Sequence, residues 1–181
     1  ASLLNPEPKT GPEGFLIGVN WRGDVNASQT PVMQAAQNSA QVFLGVNLKC
    51  NSCHDSFISS WKLKDAYGLA GFFSKDKLEL VRCDIATGKM SAVKFLYPEL
   101  GSVPEDATLE ERKAAAARFF TMRENGRFAR TFVNRIWRKL MGRGIVEPAD
   151  DMDAKPLNED LICWLPRGFP PGAARGGPGR A

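Results

Sequence analysis

The chain has 181 residues, 43% hydrophobic and 24% charged, with 24 Lys and Arg against 20 Asp and Glu, one His and four Cys, for a formal charge of +4. Such a chain can bury a core, which excludes wholesale disorder, a collagen-like helix and a disulfide miniprotein. No stretch reaches the roughly 18 uninterrupted apolar residues of a membrane span; the opening on Ala1 without a secretion signal reads as an internal piece of a longer protein, or one whose leader is gone.

Residues 1–30 are broken by Pro6, Pro8, Gly11, Pro12, Gly14, Gly18 and Gly23 and read as a loop. At Thr30-Pro31 a helix starts, with a hydroxyl to take an orphan N–H and proline where its missing donor does no harm. Val32, Ala35, Ala36, Ala40, Phe43 and Leu44 then recur at helical spacing to about Leu48, and the helix delivers the chain to Cys50. WKLKDAYGLAGFF is a second helix, with Leu63, Ala66, Tyr67, Ala70 and Phe73 on one face, expected to pack over the cysteine segment. Residues 78–97 read as a hairpin, LELVRCD and MSAVKFLY, turning at Thr87-Gly88.

A link, GSVPEDAT, leads to a helix starting near Thr108, with Glu110 and Glu111 in its first turn, and ending around Asn125-Gly126. RFARTFVNRIWRKLMGRG is the most periodic stretch: Phe128, Phe132, Ile136 and Leu140 fall four apart, Val133, Trp137 and Met141 widen the stripe, and Gly142 stops it. An acidic loop, EPADDMDAKP, precedes a last helix, LNEDLICWL, closed by Pro166. Residues 166–181 hold Gly, Pro and Arg without a period and read either as a flexible basic tail or as a reading-frame slip after Leu165. The expected fold class is mainly α, a helical fragment with a small β-hairpin insert, incomplete at both ends.

Cys50-Asn51-Ser52-Cys53-His54 carries the sharpest chemistry. In C-x-x-C-H two thiols one helical turn apart can add to the vinyl groups of a haem, and the adjacent imidazole lies beneath the iron. Three other readings stand beside it. A thioredoxin-like redox pair would need a strand before the motif, where the pattern here is helical. A zinc site could use Cys50, Cys53 and His54 with Cys83 or Cys163. A disulfide between Cys50 and Cys53 would close a very small ring.

If haem c is attached, His54 is the proximal ligand and a second imidazole is unavailable within the chain. Of Met33, Met90, Met122, Met141 and Met152, Met90 in the hairpin is least committed to packing and is the candidate distal ligand, with a vacant or externally filled sixth position the alternative.

Arg123, Arg127, Arg130, Arg135, Arg138, Lys139 and Arg143 oppose only Glu124. A nucleic-acid or anionic-lipid surface is one reading, but Glu147, Asp150, Asp151 and Asp153 follow at once and can pair with them, and one or two of the arginines could neutralise haem propionates. The tail holds three Arg and no acid, so residues 1–165 carry only +1 and the charge is poor evidence for nucleic acid. No nucleophile–base constellation is available, since any would have to use His54.

QVFLGVNLKCNSCHDSFISSWKLKDAYGLAGFF resembles the end of the planctomycete-type cytochrome c-like domain, with its FLG, CxxCH and D-x-Y-x-L-A-x-F-F run. NGRFARTFVNRIWRKLMGRGIVEPADDMD resembles the start of the domain of unknown function that follows it, with N-x-x-x-A-R-x-x-V-N-R-x-W and G-x-G-[IL]-V. The resemblance implies a division into the C-terminal part of a cytochrome c-like domain (1–75), a hairpin and linker (76–108), the N-terminal part of a helical domain of unknown function (109–165) and the tail (166–181). It further implies a larger exported protein of the periplasm or cell envelope, with the remainder of that polypeptide and a redox protein as partners. Carried over by residue, Cys50 and Cys53 are the haem-attachment positions and His54 the iron ligand; beside that carry-over, Trp61 and Tyr67 are read as packing partners in a haem-binding, electron-transfer-type module. Many members continue C-H-x-H-P, where this chain has Asp55-Ser56-Phe57.

Overall fold

Helix α1, Pro31–Ser39, begins as its cap chemistry dictates: Thr30 Oγ1 accepts the Met33 N–H at 3.3 Å and Pro31 fills the first turn. The structure, a computed structural model, describes Phe15 and residues 23–168; the expected tail lies outside the described residues, apart from its first three. The helix was expected to run to Leu48. It instead widens into a π-helical turn, Ala40–Leu44, and stops at Gly45, whose φ of 60° is left-handed. A Cβ at Gly45 would also overlap the Met152 side chain, so glycine is required there both by the backbone and by close packing.

Helix α2, Leu63–Ala70, buries Leu63, Ala66, Tyr67 and Ala70, the face read from its periodicity. Strands β1, Glu79–Arg82, and β2, Ile85–Met90, form the one antiparallel pair among the described residues. The hairpin is where expected, but its turn is not. The chain reverses at Cys83-Asp84, both left-handed with φ of 48° and 64°, the conformation that matches a two-residue connection to strand twist. Thr87-Gly88 lies inside β2, and the segment expected as the second strand, through Tyr97, is irregular and buries Phe95 and Leu96.

Helix α3, Leu109–Thr121, opens with a capping box: Thr108 N–H and Oγ1 donate to the Glu111 carboxylate at 2.8 and 2.9 Å, and Glu111 N–H returns to Thr108 Oγ1. Helix α4, Gly126–Met141, ends at left-handed Gly142, as read. Its inward face is not the one the stripe suggests. Thr131, Val133 and Asn134 are buried, while Phe132, Ile136 and Leu140 lie on the surface, Leu140 with 74% of its area exposed. Helix α5, Glu159–Trp164, is capped by Asn158, whose side chain accepts the Leu161 N–H.

The main core joins both halves of the chain. Met33, Ala36, Leu44 and Leu69 from α1, its extension and α2, with Phe72 from the turn after α2, meet Phe95 and then Phe119 and Phe120 of α3. Phe95 is the hub, with ring centroids 5.4 Å from Phe119, 5.1 Å from Phe120 and 6.2 Å from Phe72. A smaller cluster of Ile145, Val146, Met152 and Ile162 packs under α4 and α5. The molecule is mainly α with a small hairpin, as the sequence predicts. No helix among the described residues is long and apolar enough to cross a membrane.

Candidate functional site

The C-x-x-C-H segment forms a single 3-10 turn, Cys50–Ser52, in which the Cys50 carbonyl accepts the N–H of Cys53 at 3.2 Å and of His54 at 3.1 Å. The two middle residues root the turn. Asn51 is buried and donates from Nδ2 to the Trp61 carbonyl at 2.6 Å; Ser52 is buried, donates to the Lys49 carbonyl at 2.9 Å and accepts from Gln29 Nε2. With those side chains turned in, Cys50 is exposed and Cys53 half-buried, both as free thiols. A single turn thus separates structural from chemical residues.

His54 Nδ1 lies 2.7 Å from the Asp55 carbonyl oxygen. A carbonyl can only accept, so in the neutral ring Nδ1 carries the hydrogen and the Nε2 lone pair is free for a metal. Fixing the tautomer through the second nitrogen is how metal-binding histidines are usually held. The ring stacks on Phe57, centroids 4.9 Å apart and planes inclined by 31°. Phe57 and its neighbour Ile58 are 90% and 93% exposed, an apolar surface beside the imidazole.

The hairpin brings a third thiol to this turn. Cys83 N–H donates to the Cys53 carbonyl at 3.0 Å, and Cys83 Sγ lies 3.9 Å from the same oxygen. The Cys53 side chain is the main cause of a raised Cys83 pKa, ahead of desolvation. Beneath them Tyr67 donates to the Val81 carbonyl at 3.4 Å; burial above all raises its pKa, with the neighbouring Cys53 and Asp84 adding to it.

The other candidate ligands are not brought here. Met90 pairs with Glu79 at the open end of the hairpin, about 16 Å along β2 from the end that touches Cys53. Cys163 packs with the Ile145–Val146 cluster under α4. Among the described residues no three Cys, His, Asp or Glu side chains converge as a metal cage, so the zinc set of Cys50, Cys53 and His54 with Cys83 or Cys163 is not assembled.

A polar network ties the turn to α4. Trp61 Nε1 donates to Asp153 Oδ2 at 2.6 Å, the other Asp153 oxygen pairs with Arg127, and Arg127 Nε donates to the Tyr97 hydroxyl at 2.8 Å. Trp61 meets Tyr97 edge-on at 5.9 Å, and burial raises the Tyr97 pKa against the opposing pull of Arg127. Arg135 binds Asp150 at 2.8 Å and caps the Gln41 and Val42 carbonyls at the end of the α1 extension. With Arg138 facing Glu147 at 3.9 Å, these pairs match the charge compensation read between helix and acidic loop.

Two family models match this chain. Residues 2–77 match PSCyt2, a protein of unknown function (DUF1549), and residues 112–172 match PSD1, a protein of unknown function (DUF1553). Both are planctomycete cytochrome c-associated domains. No curated protein and no solved structure matches. The C-x-x-C-H turn lies in the PSCyt2-like segment; Arg127, Asn134 and Arg135 lie in the PSD1-like one.

Sequence reasoning missed the residue that ties α4 to the loop that follows it. Asn134 is fully buried and uses its whole amide: Oδ1 accepts from Ile145 N–H at 2.8 Å and Val146 N–H at 2.9 Å, and Nδ2 donates to the Val146 and Ala149 carbonyls at 2.9 and 3.4 Å. The available signal was an asparagine in the middle of a strongly periodic helix, where its helix propensity is poor.

Proposed function

We propose that this chain is the covalent haem-binding, electron-transfer-type part of a larger exported bacterial protein. The observation that carries the reading is His54, held by its Nδ1 hydrogen bond with Nε2 free, on one turn with two available thiols. The donor set fits haem c: Cys50 and Cys53 would form the thioether links and His54 the proximal bond, and the exposed Phe57 and Ile58 would be covered by the porphyrin. Haem supplies the one-electron couple when bound. Asn51 and Ser52 keep the turn anchored, the Asp55 carbonyl orients the imidazole, and the Trp61–Asp153–Arg127 contacts couple the turn to the PSD1-like segment. Attachment outside the cytoplasm, where c-type haem is normally joined, makes the periplasm or envelope the expected compartment, with a redox protein as partner.

Expression with an export signal and haem-maturation machinery tests this. The expected result is a mass gain of one haem that survives denaturation, with a Soret band. Its complete absence, with both thiols still free, would refute the proposal. Cys50→Ala should leave a single thioether, and His54→Ala should abolish the proximal bond without loss of helix content.

A further inference from the structure

The fold puts Cys83 against Cys53 by means that do not depend on haem. Cys83 N–H donates to the Cys53 carbonyl at 3.0 Å, and covalent geometry on either side of that bond keeps the two Cα atoms within about 7 Å, close to the range that a disulfide spans. Cys83 sits in a two-residue turn at φ 48°, rare for a residue with a side chain, and the next residue, Asp84, is left-handed as well. Asp84 is held from outside the hairpin, accepting from Ser28 Oγ at 3.4 Å. A turn made without glycine and pinned by Ser28 aims Cys83 at the motif, and the thiol is exposed to a reagent.

We propose that Cys53 and Cys83 form a reversible disulfide that competes with haem for Cys53. The chemistry needs an oxidant of one class, a disulfide carrier such as oxidised glutathione. The Cys53 thiolate attacks a carrier sulfur, making a mixed disulfide and releasing one carrier thiolate; the Cys83 thiolate then attacks Cys53 Sγ and expels the second. Two thiol protons and two electrons leave the protein, and the carrier disulfide is reduced to two thiols. A sulfur in that bond cannot add to a vinyl group, so oxidised protein accepts haem only after reduction. The competition rests on the haem reading; the disulfide does not.

The test uses the full chain made without haem and incubated in oxidised glutathione. The expected result is a loss of two hydrogens in the intact mass and a peptide joining the Cys53 and Cys83 segments, retained in Cys50→Ser and Cys163→Ser and lost in Cys53→Ser and Cys83→Ser, with helix content unchanged. Absence of that link, or oxidation to a Cys50–Cys53 bond instead, overturns the proposal whether or not haem is ever attached. In the exported, maturing system Cys83→Ser should carry several-fold more haem than the parent under oxidising conditions and an equal amount under reducing ones. Equal loading in both with the link present overturns the competition.

Discussion

Asn134 shows how one side chain can organise a loop. It satisfies two N–H groups and two carbonyls of residues 145–149 from a fully buried position, so the loop needs no ladder of its own. Replacing Asn134 by Ala leaves the Ile145 and Val146 N–H groups without a partner. The expected loss is about 3 kcal/mol in urea-induced unfolding, well beyond a surface change. Gly45 is the second such position. Its backbone is left-handed, its missing Cβ leaves room for Met152, and its carbonyl accepts the Met152 N–H at 2.7 Å. The glycine in FLG was visible in the sequence; that it is the docking point of a residue more than a hundred positions on was not, because nothing local encodes a distant contact.

Among the elements, those with cap chemistry were legible. Thr30-Pro31 and Thr108 with Glu111 mark helix starts that the structure reproduces, since a cap is a local hydrogen bond between residues three apart. The same box makes a pH prediction. Hydrogen bonds from the Thr108 backbone and hydroxyl lower the Glu111 pKa below 4.5. A carboxylate with a lowered pKa in the folded state contributes stability that is present above 4.5 and is lost as pH falls through the folded value. Tm should therefore fall as the solution is acidified below pH 4.5, and Glu111→Gln, which still offers an acceptor at any pH, should remove that share of the fall.

The hairpin turn was misplaced because glycine is the usual sign of a left-handed turn, and here Cys83 and Asp84 take that conformation. The stripe of α4 misled for another reason. Periodicity shows that one face is apolar, not that the rest of the described chain covers it. Arg127, Asn134 and Arg135 bind the acidic loop and the end of the α1 extension, and those bonds turn the opposite face inward. Leu140→Lys should accordingly change stability by less than about 0.5 kcal/mol, where the same change at a buried position would unfold the protein.

At the scale of the whole molecule, the PSCyt2-like and PSD1-like segments share one core. Phe72 belongs to the first match, Phe119 and Phe120 to the second, and Phe95 between them touches all three. Unfolding should therefore be a single transition, with Trp fluorescence and far-UV circular dichroism coincident in urea; Phe95→Ala should lower stability by about 3–5 kcal/mol without splitting it. Two separated transitions would show that the halves are independent. The candidate site was legible as far as its three motif residues, because Cys50, Cys53 and His54 lie within five consecutive positions and their pattern stands in the sequence itself. Cys83 was read only as one of two possible partners beside Cys163, since its approach to the motif depends on a hairpin thirty positions away.

The phenyl cluster around Phe95 bears on inheritance. A gene break between the two matched families would divide one hydrophobic interior and leave each product with bare aromatic rings, an aggregation hazard rather than a spare module. Recombination that parts the two is thus penalised at the level of folding, whatever either half does, because each neighbour supplies part of the other's interior.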